Sequence, residues 1–237
     1  MKKKVLLLGA AGNVGVELAP RLEPYYDLRK AEFMPRLPDG MISVDVSQYD
    51  QVLEAARGMD AILNLTVNRT DPTLSFQVST RGAWHVMKAA AELGIKRVLH
   101  TGPELSSLPH GHDFDVEPAT VVSIDHYYAV SKLMAEDICR IYAQTYHINT
   151  ITYLFRGFLD DPTEPVADSC EPEFCVVWTD LLHACRLALD IESVPDYYQK
   201  FHVMTYTSQG RYDVSRLKQI IGFEPLERWA DYYKRIP

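Results

Sequence analysis

The chain has no long hydrophobic run, no basic cluster and few cysteines, and each shortage removes a class of function. No apolar stretch approaches the roughly eighteen residues that a bilayer-spanning helix needs, so no membrane association is expected. The N-terminal Met-Lys-Lys-Lys leads only into the short apolar stretch Val5 to Ala11. Glycines stand where a leader's cleavage site would lie, so a cytoplasmic location is the expectation. With a formal net charge of −8 and no Lys/Arg cluster, neither nucleic acid nor an anionic membrane meets the positive surface it requires. Of the four cysteines, Cys139, Cys170, Cys175 and Cys185, no two form a CxxC pair, and reduced thiols are expected. There is no Gly/Ser-rich linker and no internal repeat. What remains is ordinary globular composition: 237 residues, 47% apolar and 24% charged, enough for one sizeable core with a small appendage.

Within that composition, residues 4–15, Lys-Val-Leu-Leu-Leu-Gly-Ala-Ala-Gly-Asn-Val-Gly, carry the first positive signal. An apolar run reads as a buried parallel strand. Gly9, Gly12 and Gly15 then give a tight turn and a helix start, where backbone N–H groups can face a pyrophosphate. A second strand-like run, Tyr26 to Phe33, contains Glu32, about twenty residues on, where a ribose-binding acid is expected. An acid there favours NAD. Arg29, Lys30 and Arg36 keep NADP open as the less favoured cofactor. Two further strands are expected over Met41 to Val46 and Ala61 to Thr66, and strands alternate with helices at the spacing of a doubly wound sheet.

The second signal is Tyr128-Ala-Val-Ser-Lys132, in a segment with a helical pattern from Tyr127 to about Tyr146. A spacing of four puts both side chains on one helix face. A lysine ammonium near a phenol favours the phenolate, and that pair can move a proton at neutral pH.

Together these motifs resemble the extended short-chain dehydrogenase/reductases, the family of NAD-dependent sugar epimerases, dehydratases and related dehydrogenases. The likeness extends through Leu63-Asn-Leu-Thr, Gly82-Ala-Trp-His-Val-Met-Lys-Ala-Ala, Lys96-Arg-Val-Leu, Leu154-Phe-Arg156-Gly and Trp178-Thr-Asp180-Leu. It implies an α/β fold, a Rossmann-type doubly wound parallel sheet with a small C-terminal substrate-binding cap. NAD would be bound by Gly9, Gly12, Asn13, Val14 and Gly15, with Glu32 on the adenosine ribose and Asp45 and Val46 at the adenine. Leu65 and Thr66 would flank the cofactor, and Lys132 would also hold the nicotinamide ribose. Tyr128 would move the hydroxyl proton of a sugar-like small molecule, without a metal. The family also implies a homodimer, formed by the helix expected over Leu74 to Leu93 and the tyrosine helix.

Two departures from the family pattern bear on chemistry. A Ser or Thr is usual after the fifth strand, about twenty-five residues before the tyrosine, and the count lands on Pro103, which has no side-chain donor. Thr101 is the candidate replacement, with Ser106 and Ser107 as alternatives. Glu104 resembles the acid of the dehydratases, but Pro103 stands where their preceding aspartate would be. The second departure is Ser79 for the usual asparagine.

The compact C-terminal part looks most like the uronate dehydrogenase branch, which supplies an arginine from the loop after the sixth strand. Here Gly157 to Cys185 contains no Arg or Lys and carries Asp160, Asp161, Glu164, Asp168, Glu171 and Glu173. An anion held in that loop would be repelled, so a neutral sugar, polyol or other hydroxyl compound is expected rather than a uronate. Arg156 is a candidate substrate anchor, or else a structural arginine paired with a buried acid. His110, with His112, Asp113 and Asp115, is a candidate for orienting a substrate hydroxyl, the alternatives being a metal site and a solvated loop. Residues 1–156 are expected to form the dinucleotide-binding part and 157–237 the cap, interleaved as one unit. The expected activity is an NAD-dependent oxidoreductase. Alternatives are an epimerase or dehydratase that reduces its own intermediate, and a non-catalytic dinucleotide-binding sensor.

Overall fold

In the computed structural model, which describes residues 1–103, 126–160, 166–167, 175–205, 214–226 and 233–234, the apolar runs become strands of one parallel sheet. In chain order these are β1 (Lys4–Leu8), β2 (Asp27–Glu32), β3 (Met41–Ser43), β4 (Ala61–Asn64), β5 (Arg97–Pro103) and β6 (Asn149–Phe155). β7 (Gly157–Leu159) pairs with β9 (Cys175–Val177), β8 (Val166–Ala167) pairs with β11 (Tyr233–Lys234), and β10 (Tyr198–His202) returns beside β6. The main sheet has seven strands in the order β3-β2-β1-β4-β5-β6-β10, all pairings parallel.

The helices are α1 (Gly15–Leu22), α2 (Tyr49–Ala56), α3 (Pro72–Ser75), α4 (Gly82–Leu93), α5 (Tyr127–Tyr146), α6 (Trp178–Asp190) and α7 (Ser215–Ile221). They cover both faces, which is why β1 is apolar at successive positions rather than at alternate ones. Val5 and Leu7 face a core shared with Leu18 and Leu22 of α1 and with Leu181 and Leu189 of α6. Leu6 and Leu8 face the opposite core, with Val52 of α2, Val86 and Met87 of α4 and Ala135 of α5. Strand order reverses between β1 and β4, so a crevice opens beyond their carboxyl ends, where ligands bind in such sheets.

Two expectations are corrected. The strands expected over 41–46 and 61–66 stop at Ser43 and Asn64, so Asp45, Val46, Leu65 and Thr66 lie in the loops at the crevice. The helix expected over 74–93 is not uniform: a π-helical turn, Phe76–Arg81, separates α3 from α4. Hydroxyls lock that turn onto α5, Ser75 Oγ lying 2.9 Å from Ser131 Oγ while Thr80 Oγ1 donates to the Ser131 carbonyl at 2.8 Å. Phe76 is exposed, whereas Ala83, Val86, Met87 and Ala90 are buried.

The C-terminal part contributes to both the helical layer and the sheet. α6 packs on α1 and β5, and β10 extends the main sheet through its register with β6, Tyr198 opposite Thr150 to His202 opposite Leu154. Gly222, at φ +75°, ends α7 as expected of a glycine stop.

Candidate functional site

The glycine turn is held by backbone bonds. Gly9 and Ala10 donate to the Ala31 carbonyl at 3.0 and 3.1 Å, and Gly12 N–H donates to the Gly9 carbonyl at 3.2 Å. Gly9 sits at φ +83°, and a Cβ there would lie 3.0 Å from the Leu65 carbonyl carbon. A Cβ on Gly15 would lie 2.2 Å from the Gly9 carbonyl oxygen, so Gly15 is required by the fold. Gly12 differs: its Cβ would make only an ordinary 3.4 Å contact. The protein's own packing does not demand glycine at that exposed position. Asn13 is exposed and Val14 half-buried beside it at the start of α1.

Gly9 and Gly12 line a cavity of about 360 Å³ together with Glu32, Asp45, Val46, Leu65 and Thr66. Seven residues singled out for a dinucleotide thus converge on one crevice at the switch point. Glu32 Oε2 accepts from Ala11 N–H at 3.2 Å and Oε1 from Phe33 N–H at 2.8 Å, which ties β2 to the glycine turn and leaves each carboxylate oxygen further lone pairs. Two of the three cations that kept NADP open are engaged elsewhere. Arg29 donates to the carbonyls of Ala55 and Arg57 at 2.7 and 2.9 Å, and Lys30 pairs with Glu23 at 2.8 Å. Asp45 Oδ1 accepts from Ser47 N–H at 2.9 Å, and the Val46 carbonyl is bonded by His85 Nδ1 at 2.8 Å. Burial lowers the pKa of His85, so the ring is neutral and donates.

Tyr128 and Lys132 stand one turn apart at the start of α5. Tyr128 is half-buried, and the Arg69 guanidinium lies over its ring with Cζ 5.1 Å from the centroid. Lys132 is 2% exposed, and burial lowers its pKa to about 8, against the opposing pull of Glu136. Glu136, one further turn along, is itself buried and raised by desolvation, and its Oε2 accepts from Lys200 Nζ on β10 at 3.0 Å. Gly102 on β5 gives Glu136 room, since a Cβ there would lie 2.4 Å from Oε1. Thr101, also on β5, donates through Oγ1 to the Asn64 carbonyl at 3.3 Å.

Arg156 is exposed and pairs with no acid among the described residues. Its charge acts on the Cys175 thiol. Glu104, Ser106, Ser107, His110, His112, Asp113 and Asp115 lie outside the described residues, as do Cys170, Asp161, Glu164, Asp168, Glu171 and Glu173, whereas Asp160 is described and exposed.

Four residues escaped the sequence reading. Asn64 accepts from Thr66 N–H and Thr66 Oγ1 at 3.2 and 2.7 Å and donates to His100 Nδ1 at 3.3 Å, so it shapes the loop after β4. His100 is buried and held neutral by desolvation and by Lys132. A polar residue inside the apolar runs Ala-Ile-Leu-Asn64 and Val-Leu-His100 was the available signal. Glu136, four residues beyond Lys132, was signalled by spacing alone. Arg69, in a short polar stretch, had no signal that separates it from a solvated arginine.

The family model described as NAD dependent epimerase/dehydratase family matches residues 5–155. A uronate dehydrogenase of Pseudomonas putida is 27% identical over 167 residues, 67% of this chain and 62% of that protein. A second, from Pseudomonas syringae, is 27% identical over 168 residues, 67% of this chain and 61% of its own length. The chain therefore spans about three-fifths of these curated relatives. Among solved structures, a mutant uronate dehydrogenase from Agrobacterium tumefaciens, complexed with NAD, superposes with a TM-score of 0.80 at 19% identity, covering 98% of this chain and 88% of that one. UDP-glucose 4-epimerase from Thermus thermophilus, also with NAD, gives 0.65 at 17% identity, over 94% and 84%. These likenesses confirm the fold. No helix among the described residues is long and apolar enough to cross a membrane. By the model that matches its residues 5–155, this chain belongs to the NAD dependent epimerase/dehydratase family.

Proposed function

We propose that the protein is an NAD-dependent oxidoreductase acting on a hydroxyl or carbonyl of a sugar-like small molecule, with Tyr128 as the proton-transfer residue. The observation that carries this reading is the convergence of Gly9, Gly12, Glu32, Asp45, Val46, Leu65 and Thr66 on one crevice, in a chain whose tyrosine helix bears a buried lysine one turn further on. NAD fits the residues present: Gly12 is free of any packing need for glycine, and Arg29 and Lys30 are engaged away from a 2′-phosphate. When bound, it supplies the hydride acceptor, taking hydrogen with the electron pair of the carbinol C–H bond.

The chain's own residues do the rest. Tyr128 accepts the hydroxyl proton as the carbonyl forms. The Lys132 ammonium favours the phenolate and donates to the nicotinamide ribose. Thr101 orients the reacting oxygen by exchanging its long bond to the Asn64 carbonyl for one to substrate. Glu104, His110 and Arg156 remain proposed substrate contacts. We also propose a homodimer through α4 and α5, because Trp84, Met134, Ile141 and Tyr146 stand 41 to 51% exposed along these two helices.

The test is Tyr128→Phe, with cofactor affinity and turnover measured separately. Substrate-dependent NADH formation should fall by about 10²- to 10⁴-fold while the Kd for NAD stays within a few-fold of wild type. Equal turnover in the variant would remove Tyr128 from the chemistry. NAD binding with no net NADH in the wild type would favour an internal-redox epimerase or a non-catalytic binder.

A further inference from the structure

We propose that Arg69 determines substrate specificity by holding an anionic substituent, a carboxylate, on the hydroxyl compound that Tyr128 serves. The inference rests on the reading of Tyr128 given above. It reverses the expectation of a neutral substrate, which considered only the loop after β6.

The loop after β4 fixes Arg69 at the mouth of the site. Asn68 Oδ1 accepts from the backbone N–H groups of Thr70 and Asp71 at 3.1 and 3.0 Å, and Asp71 in turn caps α3 by accepting from Leu74 N–H at 2.8 Å. The Arg69 carbonyl accepts from Tyr127 Oη at 2.8 Å, which pins this loop to the residue before Tyr128. The guanidinium is then held over the Tyr128 ring, 5.1 Å from its centroid. Its charge is also felt at Lys132.

The guanidinium makes no side-chain hydrogen bond among the described residues, so its donors are available. A guanidinium can rest on a ring and still offer five N–H donors, which match a carboxylate bidentately. Arg69 is exposed and forms no salt bridge with a carboxylate among the described residues. In a chain of net charge −8, with no Lys or Arg from Gly157 to Cys185, such a cation beside the reacting group selects against neutral substrates. Arg156, the other candidate anchor, makes no hydrogen bond or ring contact with Tyr128 or Lys132 among the described residues.

The test compares wild type, Arg69→Gln and Arg69→Lys on glucuronate, glucose and glucose 6-phosphate. The preference for glucuronate over glucose, as a ratio of kcat/KM, should fall about 10- to 100-fold in Arg69→Gln, carried by KM, and partly recover in Arg69→Lys. A matching fall for glucose 6-phosphate would make the site one for anions in general. Calorimetric binding of glucuronate to the wild-type complex with NADH supplies a readout independent of turnover, and the affinity should drop by a similar factor in Arg69→Gln. An unchanged preference, a loss confined to NAD affinity, or no glucuronate binding by wild type would overturn the role of Arg69. Oxidation of glucose with no response to glucuronate would sink this inference and leave the oxidoreductase reading standing, whereas glucuronate binding without NADH formation would do the reverse.

Discussion

Gly15 and Lys132 show how sharply single residues are constrained here. A Cβ on Gly15 would sit 2.2 Å from one carbonyl oxygen and 2.6 Å from another, both backbone atoms that no rotamer change can move. Gly15→Ala should cost about 1 to 3 kcal/mol and lower the Tm by several degrees, with weakened NAD binding. Gly12→Ala should instead leave the Tm nearly unchanged and weaken NAD selectively. Calorimetric melts with and without NAD separate the two.

Lys132 gives a pH signature. Its folded pKa of about 8 lies below the ordinary lysine value of 10.5, so the unfolded chain binds that proton more tightly. The resulting destabilisation is fully present below about pH 8 and fades as pH rises towards 10.5. Lys132→Met removes the charge while Glu136 keeps Lys200 as partner. At pH 7 that variant should be inactive yet more stable than wild type, by about 3 kcal/mol at most, with the gap closing above pH 8. In wild type kcat/KM should decline as pH rises through about 8, because the ammonium is lost. A profile flat across that range would contradict the role given to Lys132.

Among the elements, the π turn between α3 and α4 is the clearest case of tertiary contact overriding periodicity. Ser75 donates to Ser131 Oγ, which donates onward to the Tyr128 carbonyl at 2.8 Å. This chain braces the first turn of α5, the one that carries Tyr128. Ser131→Ala strands the buried Ser75 hydroxyl and should destabilise by about 1 to 3 kcal/mol, with the double variant Ser75→Ala/Ser131→Ala recovering part of that loss. Denaturant melts of the four-member cycle measure the coupling, and strict additivity would dissolve the brace. On the outer side of α5, Met134 and Ile141, seven residues apart, share one exposed face. The double variant Met134→Glu/Ile141→Glu should sediment as a monomer where wild type sediments as a dimer. A monomeric wild type would contradict the proposed interface.

At the scale of the molecule, the doubly wound sheet was legible because both of its faces are covered. Continuous apolar runs such as Val5 to Leu8 can only be buried strands, and Gly9 to Gly15 locates the first crossover. The tyrosine helix was readable from Tyr127 to Tyr146 because its N- and C-terminal limits carry their own sequence changes. Less was legible where function depends on loops. Asp45 and Leu65 read as strand residues, yet they serve the crevice because the strands end before them. The pairing of β10 with β6 was hidden, since local pattern does not say which strand a distant segment will pair with. Arg69 was hidden for the same reason, its meaning arising only when the β4 loop meets α5.

The most direct measurement is the appearance of NADH when the purified protein is mixed with NAD and a panel of uronates, aldoses and polyols. Net NADH, dependent on both protein and sugar and lost in Tyr128→Phe, is the predicted result. Full NAD binding with no NADH from any member of the panel would contradict the assignment as an oxidoreductase.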